Sequence, residues 1–103
     1  MPEDCKIALR RRGICVIIPT YNNAGTIIDV VTRVKEYCQD VFVVLDGCTD
    51  DTLAKLESLE DKNGIIEIKK NSGKGHALRT GFERAIKDGF TYAITLDADG
   101  QHY

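Results

Sequence analysis

Residues 14–19 read ICVIIP, and residues 41–46 read VFVVLD. Both runs are almost continuously apolar and rich in β-branched side chains. A run without alternation leaves no polar face for water, so each reads as a strand buried on both sides, the signature of a central strand in a parallel sheet. Pro19 stops the first run, and Asn22, Asn23 and Gly25 make a turn. Between the two runs Ile27, Val31, Val34 and Cys38 recur at helical spacing, with Ile28 beside them. Gly47 breaks the second run, and Thr49, Asp50 or Asp51 can cap the helix that follows. Leu53, Leu56 and Leu59 give that helix a narrow apolar stripe.

Further along, residues 64–70 (GIIEIKK) alternate more and are more polar, so a third strand is expected nearer an edge. The stretch NSGKGHALRTGFERAIKDG begins as a glycine-rich loop and becomes a helix. Leu78, Phe82, Ala85 and Ile86 are its expected buried face, and Gly89 its stop. Residues 92–97 (YAITLD) form the fourth strand. Arg10, Arg11 and Arg12 read as a solvated basic tail ahead of the first strand. The sequence shows no repeat, no low-complexity tract and no linker.

The composition bounds the partners. A chain of 103 residues holds one small domain with one core. The net charge of -2 gives no bulk attraction to nucleic acid or to an anionic membrane, and nucleic acid is not an expected partner. No stretch approaches the roughly 18 apolar residues that a membrane span needs. Lys6 and the three arginines interrupt any signal-like apolar region before the first strand. Cys5, Cys15, Cys38 and Cys48 form no C-x-x-C pair, and His76 and His102 are not spaced for zinc. Cys15 reads as a small core residue. A reducing, cytoplasmic setting is expected.

Four strands separated by three helices predict right-handed crossovers and an α/β fold with a mainly parallel, Rossmann-like sheet and flanking helices. In such sheets ligands bind beyond the carboxyl ends of the strands. Those ends carry Pro19, Thr20, Tyr21 and Asn22, then Asp46 and Gly47, then residues 71–75, then Asp97 and Asp99. Polar and glycine residues thus gather on one rim.

Asp97 and Asp99 stand one residue apart, and an extended chain puts both carboxylates on one side. Two close carboxylates repel, so each needs a nearby cation or one keeps its proton. Magnesium or manganese, which take one or two carboxylates plus phosphate oxygens, meets that need. A solvated turn after a strand accounts for the same residues. Asp46 can accept from a base N–H or a ribose hydroxyl, or serve only as Asp-Gly turn chemistry. Lys74, in a glycine-flanked loop at a helix start, can meet phosphate oxygens together with the free N–H groups there. The loop is neither a Walker loop nor a G-x-G-x-x-G motif. His76 has no carboxylate partner placed by sequence. Tyr21 can stack on a base or cover the sheet edge.

Four blocks, VIIPTYNNAGTI, VVLDGCTDDT, NSGKGHALRTGFERA and TLDADGQH, occur in one order between about Ile14 and His102. In order and spacing the chain resembles family 2 glycosyltransferases of the GT-A fold, especially the dolichol-phosphate mannosyltransferase-like branch. The resemblance implies that residues 1–103 are the N-terminal, nucleotide-sugar-binding part of a glycosyltransferase domain, ending just after the D-x-D motif. It implies a nucleoside diphosphate sugar donor, a Mn2+ or Mg2+ cofactor, and a lipid-phosphate (polyprenyl phosphate) or glycan acceptor. By position, Pro19, Thr20 and Tyr21 would border the nucleoside, and Asp46 would contact the base. Lys74 and Arg79 would lie near the nucleotide. Asp97 would meet the donor or the metal shell, Asp99 would ligate the metal, and Gln101 would help to hold it.

The chain departs from the family pattern at two places. Leu45-Asp46 stands where a pair of aspartates is common, and Asn23 where an acidic residue often follows Tyr-Asn. The resemblance further implies an inverting enzyme at the cytoplasmic face of a membrane, with its general base beyond Tyr103. This part alone would bind nucleotide weakly, turn nothing over, and self-associate through its fourth strand or the neighbouring sheet face. Two other readings remain: a haloacid dehalogenase-type phosphatase, whose D-x-D-G motif follows the first strand rather than the fourth, and a non-enzymatic nucleotide-binding or interaction module.

Overall fold

A computed structural model describes residues 2–59 and 64–97. The chain order is α1 (Pro2–Arg11), β1 (Ile14–Thr20), α2 (Ile27–Lys35), β2 (Val41–Asp46), α3 (Thr52–Glu57), β3 (Ile65–Ile68), α4 (Lys74–Lys87) and β4 (Tyr92–Thr95). Among the described residues the strands form one sheet in the order β3-β2-β1-β4, and every pairing is parallel. The expected α/β class and parallel sheet are therefore observed.

The two uninterrupted apolar runs are the two central strands. Their side chains alternate between the faces. On one face Val16, Ile18, Val43 and Leu45 pack with Ile27, Val30 and Val31 of α2 and Leu56 of α3. On the other, Cys15, Ile17, Phe42 and Val44 pack with Ala77 and Ala85 of α4. Phe42 and Phe90 also pack edge to face, their ring centroids 5.7 Å apart. The polar strand β3 lies at an edge, as its alternation predicts.

Three local expectations are corrected. Arg10 and Arg11 belong to a helix, α1, and not to a solvated tail. Leu9 packs against the α2 side of the core, and the Arg10 guanidinium forks onto Asp40 through Nε (3.2 Å) and Nη2 (2.9 Å). One apolar contact and one bidentate pair thus tie the helix down, and a count of arginines does not reveal either.

The second correction concerns α4. Its buried stripe is Ala77, Gly81 and Ala85, while Phe82 and Ile86 are exposed. Small residues at i, i+4 and i+8 let the helix axis lie close to the sheet. A Cβ at Gly81 would stand 2.6 Å from Ile17 Cγ2. Of the expected face, Ala85 is buried and Leu78 half-buried against the core, and only Phe82 and Ile86 depart from it.

Third, regular pairing of β4 ends at Thr95, although the Leu96 N–H still donates to the Ile17 carbonyl at 3.1 Å.

Candidate functional site

The carboxyl ends of the strands enclose a cleft of about 280 Å³. Pro19, Thr20, Tyr21, Asn23, Asp46, Asn71, Gly73, Lys74, Ala77 and Asp97 line it. Of the residues expected from sequence, Pro19, Thr20, Tyr21, Asp46, Lys74 and Asp97 are brought together. Arg79 stands exposed on α4 and does not line the cleft. Asp99 and Gln101 lie outside the described residues. Asn71 adds a polar group that the sequence pattern does not single out beyond its place in the loop, and Asn23 draws notice there only as a turn residue and as a departure from the family pattern.

The β1 end of the rim is stitched to the loop after β2. Asn22 adopts a left-handed φ of 50°, which an asparagine tolerates better than most residues. Its Oδ1 accepts the N–H groups of Thr49 (2.8 Å) and Asp50 (3.2 Å), and its Nδ2 donates to Thr49 Oγ1 (3.1 Å). The Asn22 N–H in turn points at Cys48 Sγ (3.4 Å). Asn23 Oδ1 accepts the Tyr21 N–H at 3.1 Å, which helps to fix the turn that carries the tyrosine.

At the start of α3 the capping work falls to Asp50. Its Oδ1 accepts both the N–H and the hydroxyl of Thr52, and its Oδ2 accepts the Ala24 N–H at 3.4 Å. The Thr52 hydroxyl bond, with the backbone N–H bonds behind it, holds the Asp50 carboxyl below the usual carboxylate range. Burial pushes the Cys48 thiol up from the usual thiol range.

Asp46 is the most heavily engaged of the predicted residues. Its side chain is buried, with 4% of the residue exposed. Oδ1 accepts the Ser72 N–H at 2.9 Å and Oδ2 accepts the Gly73 N–H at 3.0 Å. The Asn71 amide donates back to the Asp46 carbonyl at 3.2 Å, and the Gly47 N–H reaches the Ile68 carbonyl at 2.8 Å. Gly47 has a φ of 69°, and a Cβ there would fall 2.2 Å from the Asn71 nitrogen, so only glycine fits. The carboxylate at the end of β2 therefore clamps the loop that leads into α4. Among the described residues no buried side-chain polar atom lacks a partner.

That clamped loop delivers Lys74 to the cleft. Its Nζ lies 2.6 Å from Asp97 Oδ1, and both side chains are more than half exposed. The first turn of α4 adds backbone N–H groups on the same side. Amide donors, an ammonium and a carboxylate on one rim suit a phosphate-bearing ligand with a hard cation. Asp97 offers one oxygen ligand of the kind magnesium and manganese accept, and it already sits against a positive charge. No cluster of three ligating side chains occurs among the described residues.

The comparisons with known proteins agree with this geometry. A family model described as glycosyl transferase family 2 matches residues 15–103. The chain belongs to that family. It is similar to glycosyltransferase AglJ of Haloferax volcanii, 37% identical over 91 residues, covering 87% of this chain and 28% of that protein. It is also similar to a polyprenol monophosphomannose synthase of Mycolicibacterium smegmatis, 32% identical over 106 residues, covering 97% of this chain and 40% of the relative. A UDP-N-acetylglucosamine–dolichyl-phosphate N-acetylglucosaminyltransferase of Methanococcus voltae is 35% identical over 105 residues, covering 86% and 42%. The chain thus spans well under half the length of these relatives. As a member of family 2, it carries the four-stranded parallel sheet and rim as one half of a GT-A fold. The family match decides against the phosphatase reading. No described helix is long and apolar enough to cross a membrane.

Proposed function

We propose that this chain forms the donor-binding part of a glycosyltransferase that moves a sugar from a nucleoside diphosphate sugar to a polyprenyl phosphate. The observation that carries the reading is the rim itself. Lys74, Asp97 and the amide-rich loop held by Asp46 face one cleft at the carboxyl ends of a parallel sheet. The names of the mycobacterial and methanogen relatives, both lipid-linked, support the acceptor class. A polyprenyl phosphate acceptor lies in a membrane, and the parent enzyme is proposed to work at its cytoplasmic face.

In this reading Pro19, Thr20 and Tyr21 border the nucleoside. The exposed Tyr21 ring stacks on the base, as aromatic side chains do at ligand sites. Asp46 holds the loop with one lone pair on each oxygen and keeps the others for a base or ribose donor. Lys74 offsets charge on the diphosphate, and the N–H groups of the first turn of α4 donate to its oxygens. Asp97, with Asp99 and Gln101, would hold Mn2+ or Mg2+, which when bound supplies Lewis-acid stabilisation of the diphosphate leaving group. The general base that takes the acceptor's proton comes from the part of the enzyme that follows the D-x-D motif.

Thermal unfolding tests the reading. Adenosine, cytidine, guanosine and uridine diphosphates, free and sugar-linked, are each added with Mn2+ or with chelator. One base series should stabilise the protein with Mn2+, by about 2.7 kcal/mol at 100 times its dissociation constant. Equal stabilisation in chelator would remove the metal from the site. Asp99→Asn should weaken the manganese-dependent part more than Asp46→Asn does, and the reverse order would invert the two roles.

A further inference from the structure

Asn23 lines the cleft with Tyr21 and Asp46, half-buried, and one bond fixes which way its amide faces. Its Oδ1 accepts the Tyr21 N–H at 3.1 Å. A backbone N–H only donates, so the oxygen is the atom turned to Tyr21 and the NH2 group is left for another partner. Among the described residues that NH2 group has none, and no unpaired side-chain polar atom there is buried, so it is open to a ligand. Resting on the donor-site reading above, we infer that Asn23 reads the nucleoside. Its NH2 group donates to an oxygen acceptor on the base or the ribose, while its own oxygen holds the turn that carries Tyr21.

The polarity of the neighbouring wall carries this. The strand order sets the residues in a row, with Asn71 after β3, Asp46 at the end of β2 and Asn23 after β1. Asp46 accepts on both carboxylate oxygens. Asn71 turns its NH2 group to the Asp46 carbonyl at 3.2 Å, which leaves its own oxygen as an acceptor. Pro19 has no N–H, and the Thr20 hydroxyl donates to the Ile18 carbonyl at 3.3 Å. Toward β2 and β3 the wall therefore accepts, and beside Tyr21 the Asn23 amide supplies an N–H donor. A base or a ribose carries oxygens that accept as well as groups that donate. Acceptors alone would take water from those oxygens without replacing the bond. A carboxylate at position 23, often found there in the family pattern, could only accept. The amide gives this chain a donor in its place.

A double cycle between protein and ligand tests the assignment. The ligand is the nucleoside diphosphate selected by the thermal assay, in the buffer in which that assay finds it bound. Its analogues are the 2′-deoxy and 3′-deoxy forms and forms whose base lacks a carbonyl oxygen. Each is titrated calorimetrically into wild type, Asn23→Asp and Asn23→Ala. Asn23→Asp keeps an acceptor for the Tyr21 N–H and removes the donor, and Asn23→Ala removes both. On wild type at least one analogue should bind about three- to tenfold more weakly than the parent ligand, the usual worth of one hydrogen bond. On either variant that loss should vanish, and on Asn23→Asp it should reverse where the missing oxygen would face a carboxylate. A deoxy form that behaves so identifies the ribose as the group read, and a carbonyl-free form identifies the base. The added negative charge of Asn23→Asp acts on parent and analogue diphosphates alike and cancels in the ratio.

An asparagine that only shapes the turn would weaken parent and analogues by the same factor. If every analogue loses as much on the variants as on wild type, Asn23 does not read the nucleoside, and the donor site stands because the parent ligand binds. If wild type binds no nucleoside diphosphate, the donor-site reading and this inference fall together.

Discussion

Asp46→Asn probes the joint between sheet and cleft. The carboxylate takes the Ser72 N–H on one oxygen and the Gly73 N–H on the other, with 4% of the residue exposed. An asparagine keeps one acceptor and turns an NH2 group toward the second N–H. An unpaired donor costs about 1–3 kcal/mol, and the surviving bond loses its charge assistance, roughly half its strength. Ser72 and Gly73 are themselves exposed, so water recovers part of the loss. The balance is a destabilisation of about 2 kcal/mol, a sizeable share of the roughly 5–15 kcal/mol that a small domain has. Urea unfolding at neutral pH should show it as a midpoint lowered by about 1 M, given slopes of about 1–3 kcal/mol per molar. Hydrogen exchange supplies the local readout: the Ser72 and Gly73 amides should lose protection ahead of the β1 and β2 amides. An unchanged midpoint together with unchanged protection of those two amides would refute the clamp.

Three other outcomes are expected. Gly81→Ala gains about 1 kcal/mol of helix propensity but drives a methyl to 2.6 Å from the buried Ile17 Cγ2, an overpacking worth about 1–3 kcal/mol. Thermal melts should show net destabilisation of about 1 kcal/mol, and in an Ile17→Ala background the same change should stabilise. Stability should also fall in alkali, because burial pushes the Cys15 thiol from about 9 up to about 11. Below pH 9 folded and unfolded chains both hold that proton; between about 9 and 11 the unfolded chain releases it first, so on the order of 1–2 kcal/mol is lost as pH rises. Cys15→Ala should flatten that slope in a pH series of urea melts. Finally, among the described residues β4 lies at an edge of the sheet, with Tyr92 and Ile94 exposed on it and Leu96 exposed just after it, so the chain should self-associate. Light scattering should show mass rising with concentration and Ile94→Lys suppressing the rise; a clean monomer at high concentration would count against it.

Much of the fold is legible along the chain because burial leaves a period. The two unbroken apolar runs could only be central strands, the alternating third run belongs at an edge, and the strand ends declare where polar and glycine residues collect. The four ordered blocks carry the family resemblance through their motifs and not through a period. Tertiary structure decided what those residues do to one another. Asp46 looked like a ligand contact or a turn, and both its oxygens were found on loop amides 26 and 27 residues away. Asp97 looked in need of a metal, and Lys74, 23 residues before it, already meets it. On α4 the expected Leu78 and Ala85 do meet the core but Phe82 and Ile86 do not, because close approach to the sheet selects small residues at the contact. Periodicity reports whether a residue is covered. Which group covers it depends on strand order and register, and those come into being only when distant segments pack.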